Sequence, residues 1–181
     1  MNLINPTLLL IILLFETSSF AKVKFLNCKD HALIQRMNEA IIYSQDLGYQ
    51  VLNDRSLSIS PSQKKSLAFY YENVKVKCTT SAAHCSTNHR GSTLAFSFEN
   101  HKSGFAFDQL LLGSVRNTVF ICEDNLLSGV HGLPGRCDMA EIIFHEFGHL
   151  AGLESGPFHN SGLFHDDQSY RYSDAIRESC H

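Results

Sequence analysis

Residues 142 to 152 read IIFHEFGHLAG, a stretch whose residue types and spacing suit metal chemistry. His145 and His149 stand four positions apart, and Glu146 follows the first of them. Side chains four apart on an α-helix share a face, so both imidazoles can reach one zinc ion at ~2.0–2.1 Å. The carboxylate of Glu146 can then take the proton of a water that the metal activates and pass it to a leaving amine. The pattern therefore predicts a catalytic zinc site with Glu146 as general base.

The helix that carries this motif is predicted to begin at Asp138 and to end at Gly152. Asp138 is a typical N-cap with Glu141 three residues on, and glycine commonly follows a helix end. Gly148 in mid-helix costs ~1 kcal/mol relative to alanine, so we expect a close packing contact beside the metal. The alternative is a surface helix with two solvated histidines, since the chain has ten histidines in all. The side of the helix away from the histidines should face the core: Ala140, Ile143, Phe147 and Leu150.

A catalytic zinc needs a third protein ligand and an open fourth position. The metzincin pattern is excluded, because Ser155 stands where its third histidine would be and no methionine follows the second histidine. A thermolysin-like site would take a glutamate from a later helix, for which Glu178 is the candidate. The downstream loop offers two more histidines, His159 and His165. The residues alone therefore leave the third ligand open.

The downstream stretch FHDDQSYRYSDA, residues 164 to 175, contains a D-D-x-x-Y segment formed by Asp166, Asp167 and Tyr170. Together with the HExxH motif, it resembles the aspzincins, the deuterolysin and peptidyl-Lys metalloendopeptidase group. The resemblance implies that Asp167 joins the two histidines as third zinc ligand and that the Tyr170 hydroxyl stabilises the oxyanion. Asp166 would orient a ligand histidine, and it is also an alternative ligand. A solvated acidic turn or the N-cap of a last helix is the other reading of the two aspartates.

All six cysteines follow a predicted signal peptide, and an even number in an exported chain indicates disulfides. A structural zinc cluster is disfavoured, because the sequence has no CxxC pair. Sequence alone leaves the pairing open. The aspzincin resemblance implies one pairing: Cys28 with Cys78, Cys85 with Cys122, and Cys137 with Cys180.

Residues 1 to 21 are predicted to be that signal peptide. The apolar run from Leu8 to Phe15 is shorter than the ~18 residues needed to span a bilayer. Ser19 and Ala21 suit the two small positions that a signal peptidase reads. A retained short anchor is the alternative, because no Lys or Arg precedes the run. The expected location is therefore secreted or periplasmic, in an oxidising compartment.

Residues 22 to 181 are predicted to form a single catalytic domain, since their length suits one domain. A hydrophobic content of 44% is enough for one core. The net charge is −3 and the basic residues are scattered. Nothing in this charge pattern indicates nucleic acid or, after signal cleavage, a membrane as partner.

The predicted fold class is α+β, with a small antiparallel or mixed sheet in a mainly helical domain that the resemblance implies to be zincin-like. Helically spaced apolar residues end at Gly48, a typical stop, and a capping box at Ser60 opens the second helix. Short apolar runs between turn residues predict strands. Besides the metal helix, the predicted elements are helices Asp30–Leu47 and Pro61–Asn73, a loop at Cys78–Gly91, strands Thr93–Phe98, Gly104–Phe107 and Thr118–Cys122, and a turn at Glu99–Lys102.

These features together predict a secreted zinc endopeptidase that acts as a monomer on a protein or peptide substrate. The substrate would add to an exposed strand by backbone hydrogen bonds, for which Thr93–Phe98 or Thr118–Cys122 could serve. The alternatives are another zinc amide hydrolase, such as a cell-wall amidase, and a non-catalytic, disulfide-stabilised zinc-binding module. Three acids could recognise a lysine side chain, but each is expected to be an ordinary surface charge: Asp108, Glu123 and Asp124.

Overall fold

The computed structural model describes residues 23–80, 84–85, 87–88, 91–97, 117–128, 133–153 and 168–180. These residues contain five α-helices, a short 3-10 helix (Arg55–Leu57) and six strands. The helices are α1 (His31–Val51), α2 (Pro61–Asn73), α3 (Glu123–Leu127), α4 (Arg136–Leu150) and α5 (Gln168–Ser179). The strands are β1 (Lys24–Leu26), β2 (Lys75–Thr79), β3 (Thr87–Asn88), β4 (Gly91–Ser92), β5 (Ala95–Ser97) and β6 (Thr118–Cys122). The α+β class predicted from the sequence is confirmed.

Four of the strands form one mixed sheet in the order β1-β2-β6-β5. Strands β1, β2 and β6 run parallel, whereas β5 pairs antiparallel with β6. Parallel neighbours require a crossover, which α1 and α2 supply between β1 and β2. Val119 and Ile121 of β6 belong to the same buried core as Ile143 and Phe147 of α4. The sheet is therefore the layer against which the motif-bearing helix packs.

Helix α1 is longer than predicted. Asp30 caps it, with Oδ1 accepting a hydrogen bond from the Leu33 backbone N–H at 2.7 Å. The prediction that Gly48 stops the helix is wrong, because the helix continues to Val51. A Cβ at Gly48 would lie only 2.8 Å from Cζ of Tyr71 on α2. Close packing of two helices therefore explains this glycine.

Helix α2 has the predicted bounds, Pro61 to Asn73. The Ser60 hydroxyl accepts a hydrogen bond from the Gln63 backbone N–H at 3.3 Å. In return, the Gln63 side-chain oxygen accepts one from the Ser60 backbone N–H at 2.9 Å. The capping box read from the sequence is therefore complete, and it begins the helix at its proline.

The loop predicted at Cys78–Gly91 is only partly right, because Cys78 lies within strand β2, Thr87–Asn88 forms β3 and Gly91 begins β4. Val76 and Cys78 are buried and their neighbours are partly exposed, which is the alternation of a strand. The strand Thr118–Cys122 is confirmed with its predicted bounds, and Thr93–Phe98 contains β5. However, β6 has β2 on one side and β5 on the other, so the expectation that it could accept a peptide strand is wrong.

Helix α4 begins at Arg136, and Gly135 occupies its N-cap position without a side-chain hydrogen bond. The prediction that Asp138 is the N-cap is therefore wrong. Asp138 lies in the first turn, where negative charge is favourable at the positive end of the helix dipole. Gly152 follows the helix end with a φ of +73°, as the sequence predicts. The predicted core stripe is buried: Ala140, Ile143, Phe147 and Leu150.

Three disulfides join the six cysteines in the pairing that the resemblance implies: Cys28–Cys78, Cys85–Cys122 and Cys137–Cys180. The last of them joins the first turn of α4 to the residue after α5. Disulfides persist in oxidising compartments, so the three bonds favour a location outside the cytoplasm. No helix among the described residues is long and apolar enough to cross a membrane.

Other predictions fall outside the described residues. They concern the signal peptide at residues 1 to 21, the strand Gly104–Phe107 and the turn Glu99–Lys102. Five candidate site residues also lie there: Asp108, His159, His165, Asp166 and Asp167. All of these stay predictions.

Candidate metal centre

The two histidines of the motif lie near the end of α4 with their ring nitrogens close together. Nε2 of His145 and Nε2 of His149 are 3.1 Å apart, and the rings meet edge to face with centroids 4.7 Å apart. Two nitrogens at ~2.0–2.1 Å from one tetrahedral zinc ion would be ~3.3 Å apart. The pair therefore fits two ligands of a zinc ion, and a single helix sets the spacing.

Glu146 is buried, with 6% of its surface exposed. Burial raises the pKa of its carboxyl to about 7, and the nearby Ser97 hydroxyl partly opposes this shift. The hydrogen bond from Ser97 Oγ itself goes to the backbone carbonyl oxygen of Glu146, at 3.1 Å. Oε2 of the carboxylate has no hydrogen-bond partner among the described residues. A carboxyl with a pKa near neutrality can both take and release a proton, which is what a general base and acid must do.

Tyr170 lies in the first turn of α5 and contacts the motif. Its ring centroid is 4.4 Å from that of His145. The contact exists because α5 packs along α4. The structure therefore brings together four of the five residues predicted for the site: His145, Glu146, His149 and Tyr170.

Gly148 directly precedes His149 and lies where α4 packs against α5. A Cβ at this position would be 3.1 Å from Cδ1 of Leu153 and 3.2 Å from Cβ of Ser169. Ser169 is fully buried and directly precedes Tyr170. The close packing expected at Gly148 is therefore confirmed. A side chain at this position would push on the turn that carries Tyr170.

Hydrogen bonds from two glutamines hold both ends of the segment between α4 and α5. Nε2 of Gln63 on α2 donates to the carbonyl oxygen of Gly152 at 2.8 Å. Nε2 of Gln168 donates to the carbonyl oxygens of Leu57 and Ser58 at 3.3 and 3.1 Å. Gln63 was expected only as the capping-box partner of Ser60, and neither of these long-range contacts was predicted from the sequence. No local signal could have revealed them, because each acceptor is a backbone carbonyl far away in the chain.

The histidine pair needs a third protein ligand to form a catalytic zinc site. Asp167 lies outside the described residues, and it immediately precedes Gln168, the first residue of α5. Within the described ranges, no group of three or more His, Cys, Asp or Glu side chains could hold a metal ion. Glu178 is exposed on α5, about two helical turns beyond Tyr170. Glu178 is therefore not brought to the histidines.

Glu123 is buried, so the expectation that it is an ordinary surface charge is wrong. It is 6% exposed. Its Oε1 accepts hydrogen bonds from the backbone N–H groups of Lys29 and Asp30, both at 2.9 Å. The carboxylate therefore anchors the start of α1 and is committed to the fold. Asp124 is exposed, as expected of a surface charge.

The residues of this centre come from three elements that the core holds together. Helix α4 supplies the two histidines and Glu146, α5 supplies Tyr170, and β5 supplies Ser97. A buried carboxylate beside two convergent imidazoles is an arrangement suited to metal-assisted hydrolysis. No protein-family model, curated protein or solved structure matches this chain, so these residues have to carry any assignment of function.

Proposed function

We propose that this chain is a secreted, zinc-dependent endopeptidase with a zincin-like domain of the aspzincin type. One observation carries the proposal: the ring of Tyr170, the tyrosine of the D-D-x-x-Y segment, lies 4.4 Å from the His145 ring of the HExxH motif, although the two residues lie on different helices. An accidental HExxH on a surface helix would give no reason for this contact. It would also give no reason for the burial of Glu146 and His149.

The proposed zinc ligands are His145, His149 and Asp167. The first two are supported by the 3.1 Å separation of their Nε2 atoms. Asp167 is supported by its place in the sequence, directly before the helix whose first turn contacts His145. Zinc, when bound, polarises the carbonyl of the substrate and lowers the pKa of a water toward ~7.

Glu146 is the proposed general base. Its carboxylate takes a proton from the attacking water as the new C–O bond forms at the substrate carbonyl carbon. Its pKa of about 7 without metal reflects a site that tolerates the protonated acid. The same proton then passes to the leaving nitrogen as the C–N bond breaks, which yields a carboxylate and an amine.

Tyr170 is the proposed oxyanion donor. Attack on a peptide carbonyl places negative charge on its oxygen, and a preorganised O–H donor stabilises that charge more in the transition state than in the substrate. The contact with His145 and the packing of α5 on α4 hold the ring in place. This preorganisation is what an oxyanion donor needs, because reorganisation during the reaction would cost part of the gain.

The proposed substrate is an extended peptide that adds along β5. This strand pairs only with β6 among the described strands, so it forms the outer edge of that part of the sheet. It also lies beside α4, since Ser97 bonds to the backbone of Glu146. A peptide added by β-augmentation would therefore run past the general base.

The test compares three forms of the mature protein: wild type, Glu146→Gln, and Asp138→Asn as a matched control at an exposed acid of the same helix. Wild type and control should cleave a denatured protein in a zinc-dependent way. Glu146→Gln should keep its zinc, measured by elemental analysis, and lose at least ~10²-fold in kcat, because general base catalysis contributes ~10²–10⁴-fold. Unchanged cleavage by Glu146→Gln would end the enzyme assignment. Cleavage of purified peptidoglycan alone would replace the endopeptidase with a cell-wall amidase.

A further inference from the structure

We propose that Ser97 is a positioning residue that sets the distance between the general base Glu146 and the outer strand of the sheet. The inference rests on the proposed function. Its central contact is the hydrogen bond that Ser97 Oγ donates to the backbone carbonyl oxygen of Glu146, at 3.1 Å. This bond connects β5, where the substrate would lie, to the residue of α4 that carries the base.

The direction of the Ser97 side chain follows from the alternation along β5. Ala95 packs against the hydrophobic core, on the side of the sheet where α4 lies. Phe96 points to the opposite side and stacks on Phe120 with the ring centroids 5.0 Å apart. Ser97, two positions after Ala95, therefore faces α4 again. Its pairing with Val119 of β6 fixes its position along the strand.

The helix does not need this bond for its own integrity. A backbone carbonyl has two lone pairs, and one of them serves the bond within the helix. The Ser97 hydroxyl uses the other, so its contribution is to hold α4 at a set distance from β5. Because Oε2 of Glu146 has no hydrogen-bond partner in the described part of the chain, the position of the carboxylate depends strongly on how its backbone is held.

The kinetic test uses Ser97→Ala, with Ser97→Thr as the conservative variant that keeps the hydroxyl. The matched control is Ser128→Ala, because Ser128 Oγ also donates to a helix carbonyl oxygen, that of Asn125, at 3.4 Å. Ser97→Ala should lower kcat for a denatured protein on the order of tenfold, since a misplaced base slows proton transfer. KM and zinc content should stay as in the wild type. Ser97→Thr should restore most of the loss, and Ser128→Ala should show none.

A second readout does not require activity. The order parameter of the Glu146 side chain, from ¹³C relaxation of its methylene groups, should fall in Ser97→Ala and recover in Ser97→Thr. An inactive wild type would refute the proposed function, yet this measurement would still decide whether Ser97 holds Glu146. If Ser97→Ala matches the wild type in both kcat and order parameter, Ser97 is not a positioning residue. A rise in KM with unchanged kcat would also overturn the inference, because it would indicate a role in substrate binding alone.

Discussion

Replacing Gly148 with alanine should disturb the contact that places Tyr170 against His145. The added Cβ would lie 3.1 Å from Leu153 Cδ1 and 3.2 Å from Ser169 Cβ, against ~3.5–4.0 Å for an ordinary carbon contact. Leu153 can rotate away, whereas Ser169 Cβ moves only with helix α5. Overpacking costs ~1–3 kcal/mol and the better helix propensity of alanine returns ~1 kcal/mol. The expected net loss of stability is therefore about 0–2 kcal/mol.

Activity should fall by more than this loss of stability implies, because Tyr170 follows Ser169 directly. We expect kcat for a denatured protein to fall on the order of tenfold, since small displacements of catalytic groups are costly. Urea unfolding and steady-state kinetics measure the two effects separately. Ser169→Gly in the Gly148→Ala background is the matched control, because it removes the Cβ that the new methyl group meets, and it should restore part of kcat. A Gly148→Ala protein that is fully active and ~1 kcal/mol more stable than the wild type would refute the close packing.

In the metal-free protein, burial raises the pKa of the Glu146 carboxyl from 4.5 to about 7. At a pH between these two pKa values, the folded state holds a proton that the unfolded state has released. The free energy of unfolding should therefore fall by up to ~3 kcal/mol between about pH 5 and about pH 8. Glu146→Gln should remove this part of the slope in urea unfolding, and equal slopes would contradict the shift. Replacing both Cys137 and Cys180 with alanine should lower stability by ~4 kcal/mol, given their sequence separation of 43; an unchanged thermal midpoint would contradict that cross-link.

Features encoded by neighbours in the chain were predictable from the sequence. The capping box at Ser60 begins α2 at the expected residue, because its two hydrogen bonds join positions three apart. The motif HEFGH lies on a helix that Gly152 follows, as predicted. Strand β6 has its predicted bounds, since the apolar run TVFIC is buried at every position. In each case the feature is determined by residues close together in the sequence or by an unbroken run of apolar residues.

Features that depend on a distant partner were not predictable in this way. Gly48 resembles a helix stop in the sequence, and only the Tyr71 ring explains why it lies inside α1. Glu123 resembles a surface charge, and only the N–H groups of Lys29 and Asp30 explain its burial. The contact of Ser97 with Glu146 has the same character, because strand and helix meet only in the folded chain. The disulfide pairing came from the family resemblance, since cysteine spacing alone permits many alternatives.

The most direct test of the zinc site is an anomalous difference map, recorded at the zinc edge from crystals of the mature protein. We expect a single peak at ~2.0–2.1 Å from Nε2 of both His145 and His149, with a carboxylate oxygen of Asp167 at ~2.0–2.2 Å. The absence of any peak between the two Nε2 atoms, with zinc supplied in excess, would contradict the metal centre and with it the endopeptidase.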